Sequence, residues 1–88
     1  MAYEIVLAPA VRRALAETLP AHAAFAAFEF ICGPLAENPR RVGAALRKPF
    51  EGQYRARRGE YRVRYRIDET AGRVFVVDVD HRRDAYHA

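Results

Sequence analysis

One cysteine, one lysine and no tryptophan stand among the 88 residues. The lone thiol, Cys32, excludes an internal disulfide, and its place in an apolar run predicts a buried small hydrophobe. The histidines and the cysteine lack the spacing of a zinc site, so the sequence predicts no metal and no other cofactor. No basic stretch followed by an apolar one opens the chain, which predicts no signal peptide. No apolar run is long enough to span a bilayer. The expectation is a cytoplasmic protein without membrane contact. Repeats and low-complexity segments are missing too, and 1–88 reads as one domain with a modest core.

Positive charge is abundant but uneven. Lysine and arginine total 15 against 11 acids, a net charge of +4. All but Lys48 of these cations are arginine, which GC-rich codon usage explains in large part. Codon usage does not explain their placement. Tyr54 to Arg66, YRARRGEYRVRYR, holds Arg55, Arg57, Arg58, Arg62, Arg64 and Arg66 against Glu60 alone, with Tyr54, Tyr61 and Tyr65 interleaved. Guanidinium forks match phosphate oxygens in pairs, and aromatic rings stack on unpaired bases. The segment therefore points to a polyanion, RNA above all.

The pattern along the chain predicts the order β-α-α-β-β-β. Tyr3 to Leu7 alternates as a short strand. Pro9 suits the first turn of a helix whose stripe is Val11, Ala14, Leu15 and Leu19, and Pro20 ends it. A second helix starts near Ala21, with Phe25, Phe28, Cys32 and Leu35 as its apolar stripe. Gly33-Pro34 predicts a kink or an early end. Asn38 to Gly52 reads as an irregular, solvated loop, with Arg40 and Arg41 as further candidates for contact with a nucleic-acid backbone. Gln53–Arg58, Tyr61–Ile67 and Arg73–Asp80 form an antiparallel meander with tight turns. The fold class is α+β: two N-terminal helices on one face of a small, mainly antiparallel four-stranded sheet.

Alternation assigns faces. Tyr61, Val63, Tyr65 and Ile67 point one way, and Arg62, Arg64 and Arg66 the other. The apolar side must cover the helices, so the arginines stand on the open side with Arg55 and Arg57. In the last strand Phe75, Val77 and Val79 are expected to point inward, with Val74, Val76, Asp78, Asp80 and Arg82 outward. The bland reading is an exposed face with incidental ion pairs worth roughly 0–1 kcal/mol each; a polyanion surface explains the asymmetry better. After the last strand, His81, Arg82, Arg83, Tyr86 and His87 add groups able to move protons or stack. A packing anchor is an equal reading for Tyr86.

These residues resemble the RelE branch of the RelE/ParE toxin superfamily. The resemblance lies in Gly52-Gln53-Tyr54, Arg58-Gly59-Glu60-Tyr61-Arg62 and Tyr65-Arg66-Ile67, then Val79-Asp80-His81-Arg82 and Tyr86, and it extends to length and element order. It implies the toxin of a type II toxin–antitoxin module: a metal-independent endoribonuclease that cuts mRNA on the ribosome and is neutralised by an antitoxin of RelB or similar type, here expected to carry an acidic segment. It implies that the RNA 2′-OH attacks the adjacent phosphorus to give a 2′,3′-cyclic phosphate. Arg62, Arg82, Tyr86 and His81 are the implied catalytic set, and Arg55, Arg57, Arg58, Arg64 and Arg66 the RNA-binding set. Where some members carry lysine, Arg55 and Arg57 cannot serve as general bases, which leaves His81, Tyr86 or a group of the ribosome. Two other readings stay open: a ParE-like gyrase poison on the same scaffold, and a non-catalytic RNA-binding module.

Overall fold

The computed structural model describes residues 2–81. β1 (Glu4–Leu7) is followed by α1 (Pro9–Arg13), α2 (Ala21–Phe30), α3 (Pro39–Val42), β2 (Ala44–Ala45), β3 (Gln53–Arg58), β4 (Tyr61–Asp68) and β5 (Arg73–His81). The strands make one sheet in the order β1-β5-β4-β3-β2, antiparallel except for the β1–β5 pair. The α+β class is as expected. The sheet has five strands rather than four, because two alanines of the segment read as irregular pair with Tyr54 and Arg55 at the edge.

The β3–β4 hairpin turns on Gly59 and Glu60. Gly59 sits at φ +55, the first position of a type II′ turn, where a Cβ is strained. On β4, Tyr61, Val63 and Tyr65 are buried, while Arg62 and Arg64 are half-buried and Arg66 is exposed. The core joins them to Ala56, Val74, Val76 and Val79 from the sheet and to Val11, Leu19, Ala27, Phe30, Ile31 and Leu35 from the helical layer.

The helices follow expectation in place but not in detail. α1 runs on into a π-helical turn at Ala14–Thr18, and α2 into another at Ile31–Leu35. The chain thus stays helical through Gly33-Pro34 instead of ending there. Pro34 has no N–H for the carbonyl four residues back, and the wider i→i+5 turn steps past that missing donor. The buried face of this helix is Ala23, Ala27, Phe30, Ile31 and Leu35. Phe25 and Phe28 are 68% and 50% exposed, and Cys32 is exposed, so three of the four expected stripe residues lie outside the core. The segment is apolar almost all round, and its small alanines let the helix approach the sheet closely.

The last strand corrects a second expectation. Arg64 pairs with Asp78, yet Tyr65 pairs with Val76, so Val77 is an extra residue, a β-bulge. Val74 and Val76 point inward before it, and Val79 and His81 after it. Strict alternation assigned Val74 and Val76 to the wrong face.

Tyr65 is the hub of the sheet's β2–β3 end. It is fully buried, stacks on Tyr54 at 5.8 Å and donates its hydroxyl to the Pro39 carbonyl. Burial pushes its pKa up to about 12. Gly43 lies directly against it. A Cβ there would overlap Tyr65 Oη and sit 3.0 Å from the Arg55 carbonyl. Gly43→Ala is therefore expected to destabilise the fold by about 1–3 kcal/mol through overpacking, read as a lower urea midpoint with an unchanged m-value.

Candidate functional site

The open face of the sheet is built in cross-strand rows. Arg57, Arg62 and Asp80 lie abreast, then Arg55, Arg64 and Asp78, then Gln53, Arg66 and Phe75. Five guanidinium groups thus share a surface with two carboxylates. The parity of β3 and β4 places them there: residues that alternate with the inward-facing ones must point away from the helices.

A small cleft opens among Leu46, Phe50, Arg55, Arg62, Arg64, Asp78 and Asp80. Phe50, 42% exposed, comes from the loop between β2 and β3. The Arg64 guanidinium carbon stands 4.9 Å from its ring centroid, and that of Arg66 stands 5.4 Å from the ring of Phe75. Rings at these distances attract the cations, and a guanidinium carries N–H donors that match an anion. The buried Nε of Arg64 makes no hydrogen bond among the described residues. Sequence reasoning missed Phe50 and Leu46, because the loop read as solvated. The signal available was an aromatic residue just before the turn into an arginine-rich strand.

Of the residues singled out from sequence, Arg55, Arg57, Arg62, Arg64 and Arg66 are brought together on this face. Arg58 is not. Its guanidinium lies 4.8 Å from the Phe30 ring, on the helix-covered side, because it shares the pleat of Tyr61. Arg40 is likewise engaged elsewhere, donating to Tyr54 Oη at 2.9 Å and pairing with Glu69 at 3.4 Å.

His81 also departs from expectation. It pairs with Tyr61 across β4 and β5, is 7% exposed and faces the helical side, opposite Arg62. Its Nε2 stands 3.6 Å from Glu60 Oε2, which His22 Nε2 approaches at 3.1 Å. Hydrogen bonding to His22, then to His81, holds the Glu60 carboxyl below its usual range. Arg82, Arg83, Tyr86 and His87 lie outside the described residues.

The chain is similar to several known proteins. A family model described as the ParE toxin of the type II toxin–antitoxin system parDE matches residues 5–86. The chain is 40% identical over 84 residues to a Mycobacterium tuberculosis protein named Toxin RelE, covering 96% of this chain and 86% of that one. It is 42% identical over 86 residues to Toxin RelG of the same organism, covering 98% of each. Among solved structures, the toxin–antitoxin complex RelBE2 from M. tuberculosis superposes with a TM-score of 0.88 at 40% identity, over 93% of this chain and 100% of that one. A mutant of Escherichia coli toxin RelE in the free state gives a TM-score of 0.71 at 20% identity, over 99% and 90%, a likeness of fold alone.

Asp78 is the carboxylate most out of its ordinary state. Desolvation raises its pKa above 3.8, the hydrogen bond and charge of Asp80 add to the rise, and Arg64 opposes it. Between 3.8 and the raised value the folded chain holds more protons than the unfolded one. Stability therefore falls as pH rises through that window and stays lower above it. Asp78→Asn is expected to raise the unfolding free energy at neutral pH, with the gain vanishing in acid below the window. The same variant should bind a single-stranded RNA oligonucleotide more tightly, since one carboxylate fewer competes for Arg64. Denaturation at two pH values and fluorescence anisotropy check the two halves.

Proposed function

The chain belongs to the RelE/ParE family of type II toxins, as a RelE-like member, and on that premise we propose that it is an endoribonuclease cutting mRNA on the ribosome. The observation that carries this is the arginine-lined cleft on the open sheet face, flanked by Phe50. In the proposed step a ribose 2′-oxygen attacks the adjacent phosphorus. The bond to the 5′-oxygen breaks, leaving a 2′,3′-cyclic phosphate and a free 5′-OH. The attacking hydroxyl loses a proton and the leaving oxygen gains one. Negative charge grows on the phosphate oxygens, where Arg62 at the cleft would stabilise it, with Arg82 as the partner that the family resemblance implies.

Arg55, Arg57, Arg64 and Arg66 attract and align the strand, and Phe50 and Phe75 offer rings to unpaired bases. Arg58 is withdrawn from this set. An arginine does not act as a general base. With His81 on the far side of the sheet, that role falls to Tyr86 or to the ribosome.

An antitoxin is the second partner in this reading, since the M. tuberculosis relative of 40% identity was solved as a toxin–antitoxin complex. The basic face would attract an acidic segment. An open apolar groove on the helical side, where Phe25 and Phe28 are exposed beside Leu15 and Leu19, offers the anchors that tight inhibition needs. A cytoplasmic site of action belongs to the same proposal; no described helix is long and apolar enough to cross a membrane.

A gyrase-poison reading draws on the description of the matching family model as a ParE toxin. The arrested step separates the two. Induced expression is expected to stop translation and to leave new 5′ ends within the codons of ribosome-bound mRNA. Normal translation with halted DNA synthesis would instead favour the gyrase reading. Arg62→Ala should lower the cleavage rate by ~10²–10³ with the fold intact, as loss of one preorganised donor does. Arg66→Ala should mainly weaken RNA binding and reduce its salt dependence by roughly one phosphate contact. Equal losses in both variants would reduce the surface to a general electrostatic patch.

A further inference from the structure

Three residues distant in sequence converge on the helix-covered side, away from the arginine cleft. His22 comes from the first turn of α2, Glu60 from the β3–β4 turn and His81 from the end of β5. One ligand atom of each lies within 4.8 Å of the other two. We propose that His22, Glu60 and His81 form a binding site for a divalent transition metal of the zinc class.

The donor chemistry suits that class. Two imidazole nitrogens and one carboxylate oxygen make a three-ligand set that leaves a fourth position to water. Zinc–nitrogen and zinc–oxygen bonds of about 2.0–2.1 Å in a tetrahedron place ligand atoms roughly 3.4 Å apart. The two measured edges, 3.1 Å from His22 to Glu60 and 3.6 Å from His81 to Glu60, bracket that value. Rotation of the exposed His22 side chain closes the third.

The three positions differ in freedom. His81 is buried at the end of β5, whereas His22 and Glu60 are exposed on separate elements. A metal would therefore act as a staple, tying α2 and the hairpin turn to the last described residue of β5. Arg82 follows His81 directly, so the staple would fix the point from which residues 82–88 depart. Sequence spacing gave no hint of this set, since 22, 60 and 81 match no local metal motif.

Titration of the purified full-length chain with zinc chloride in a weakly coordinating buffer at neutral pH tests the site, with cobalt(II) absorption as a second readout. The expected result is one zinc per chain and a cobalt spectrum of tetrahedral type. His22→Ala and Glu60→Gln should each weaken binding at least tenfold, because each removes a ligand. Both residues are exposed, and circular dichroism confirms that the variants fold. Zinc should also raise the melting temperature of the parent chain but not of His22→Ala. No uptake, or uptake unchanged in both variants, would overturn the proposal. Binding that survives in them but is lost in Cys32→Ser would overturn it equally, by placing the metal at the exposed thiol.

Discussion

The parity of β4 is the constraint on which the rest of the structure depends. Tyr61, Val63 and Tyr65 alternate with Arg62, Arg64 and Arg66 along one strand. Burying a side chain of valine's size or larger is worth about 1.5–3 kcal/mol, while an exposed ion pair is worth about 0–1 kcal/mol. The apolar side therefore decides which face meets the helices, and the arginines go where it leaves them. A one-residue slip would exchange the two sets completely, burying charge and exposing the core. Folding and display of the basic surface are thus one event.

The bulge at Val77 extends that constraint to β5. Val74 and Val76 enter the core from the start of the strand. Without an extra residue Asp78 and Asp80 would also point inward, beneath the helices and without the arginines that face them. The bulge reverses the phase. Asp80 then lies beside Arg62 and Asp78 beside Arg64, while Val79 and His81 turn to the helical side. One inserted residue moderates repulsion among five arginines on one face and delivers an imidazole to Glu60 on the other.

What was readable in the sequence follows from how local each signal is. The β3–β4 hairpin, its turn glycine and the faces of its arginines were legible, because alternation and a tight turn are carried by neighbouring residues. The buried face of α2 was not, because AHAAFAAFEF is apolar on nearly every side and alanine packs as well as phenylalanine where backbones approach closely. β2 was hidden because two alanines carry no periodicity. The inward positions of His81 and Arg58 follow the same alternation that turns Val79 and Ala56 inward; the roles on RNA given to them came from charge and resemblance, not from parity. The grouping of His22, Glu60 and His81 exists only once the sheet and helices have closed.

The near-absence of lysine gains a physical sense from the same geometry. Four arginines lie over aromatic rings: Arg40 on Tyr54, Arg58 on Phe30, Arg64 on Phe50 and Arg66 on Phe75, with guanidinium carbons 4.8–6.0 Å from the centroids. A planar cation can lie flat on a ring and still present its N–H edge, which a compact ammonium on a flexible stem does less well. Arg40 and Arg58 use this contact on the helix-covered side, where it fastens charged side chains to the core's rim. Arg64 and Arg66 use it on the open face. There it restricts their rotamers before any anion arrives, so less side-chain entropy is left to lose on binding. Codon usage accounts for an abundance of arginine, but the rings beneath these four account for what arginine does here that lysine would not.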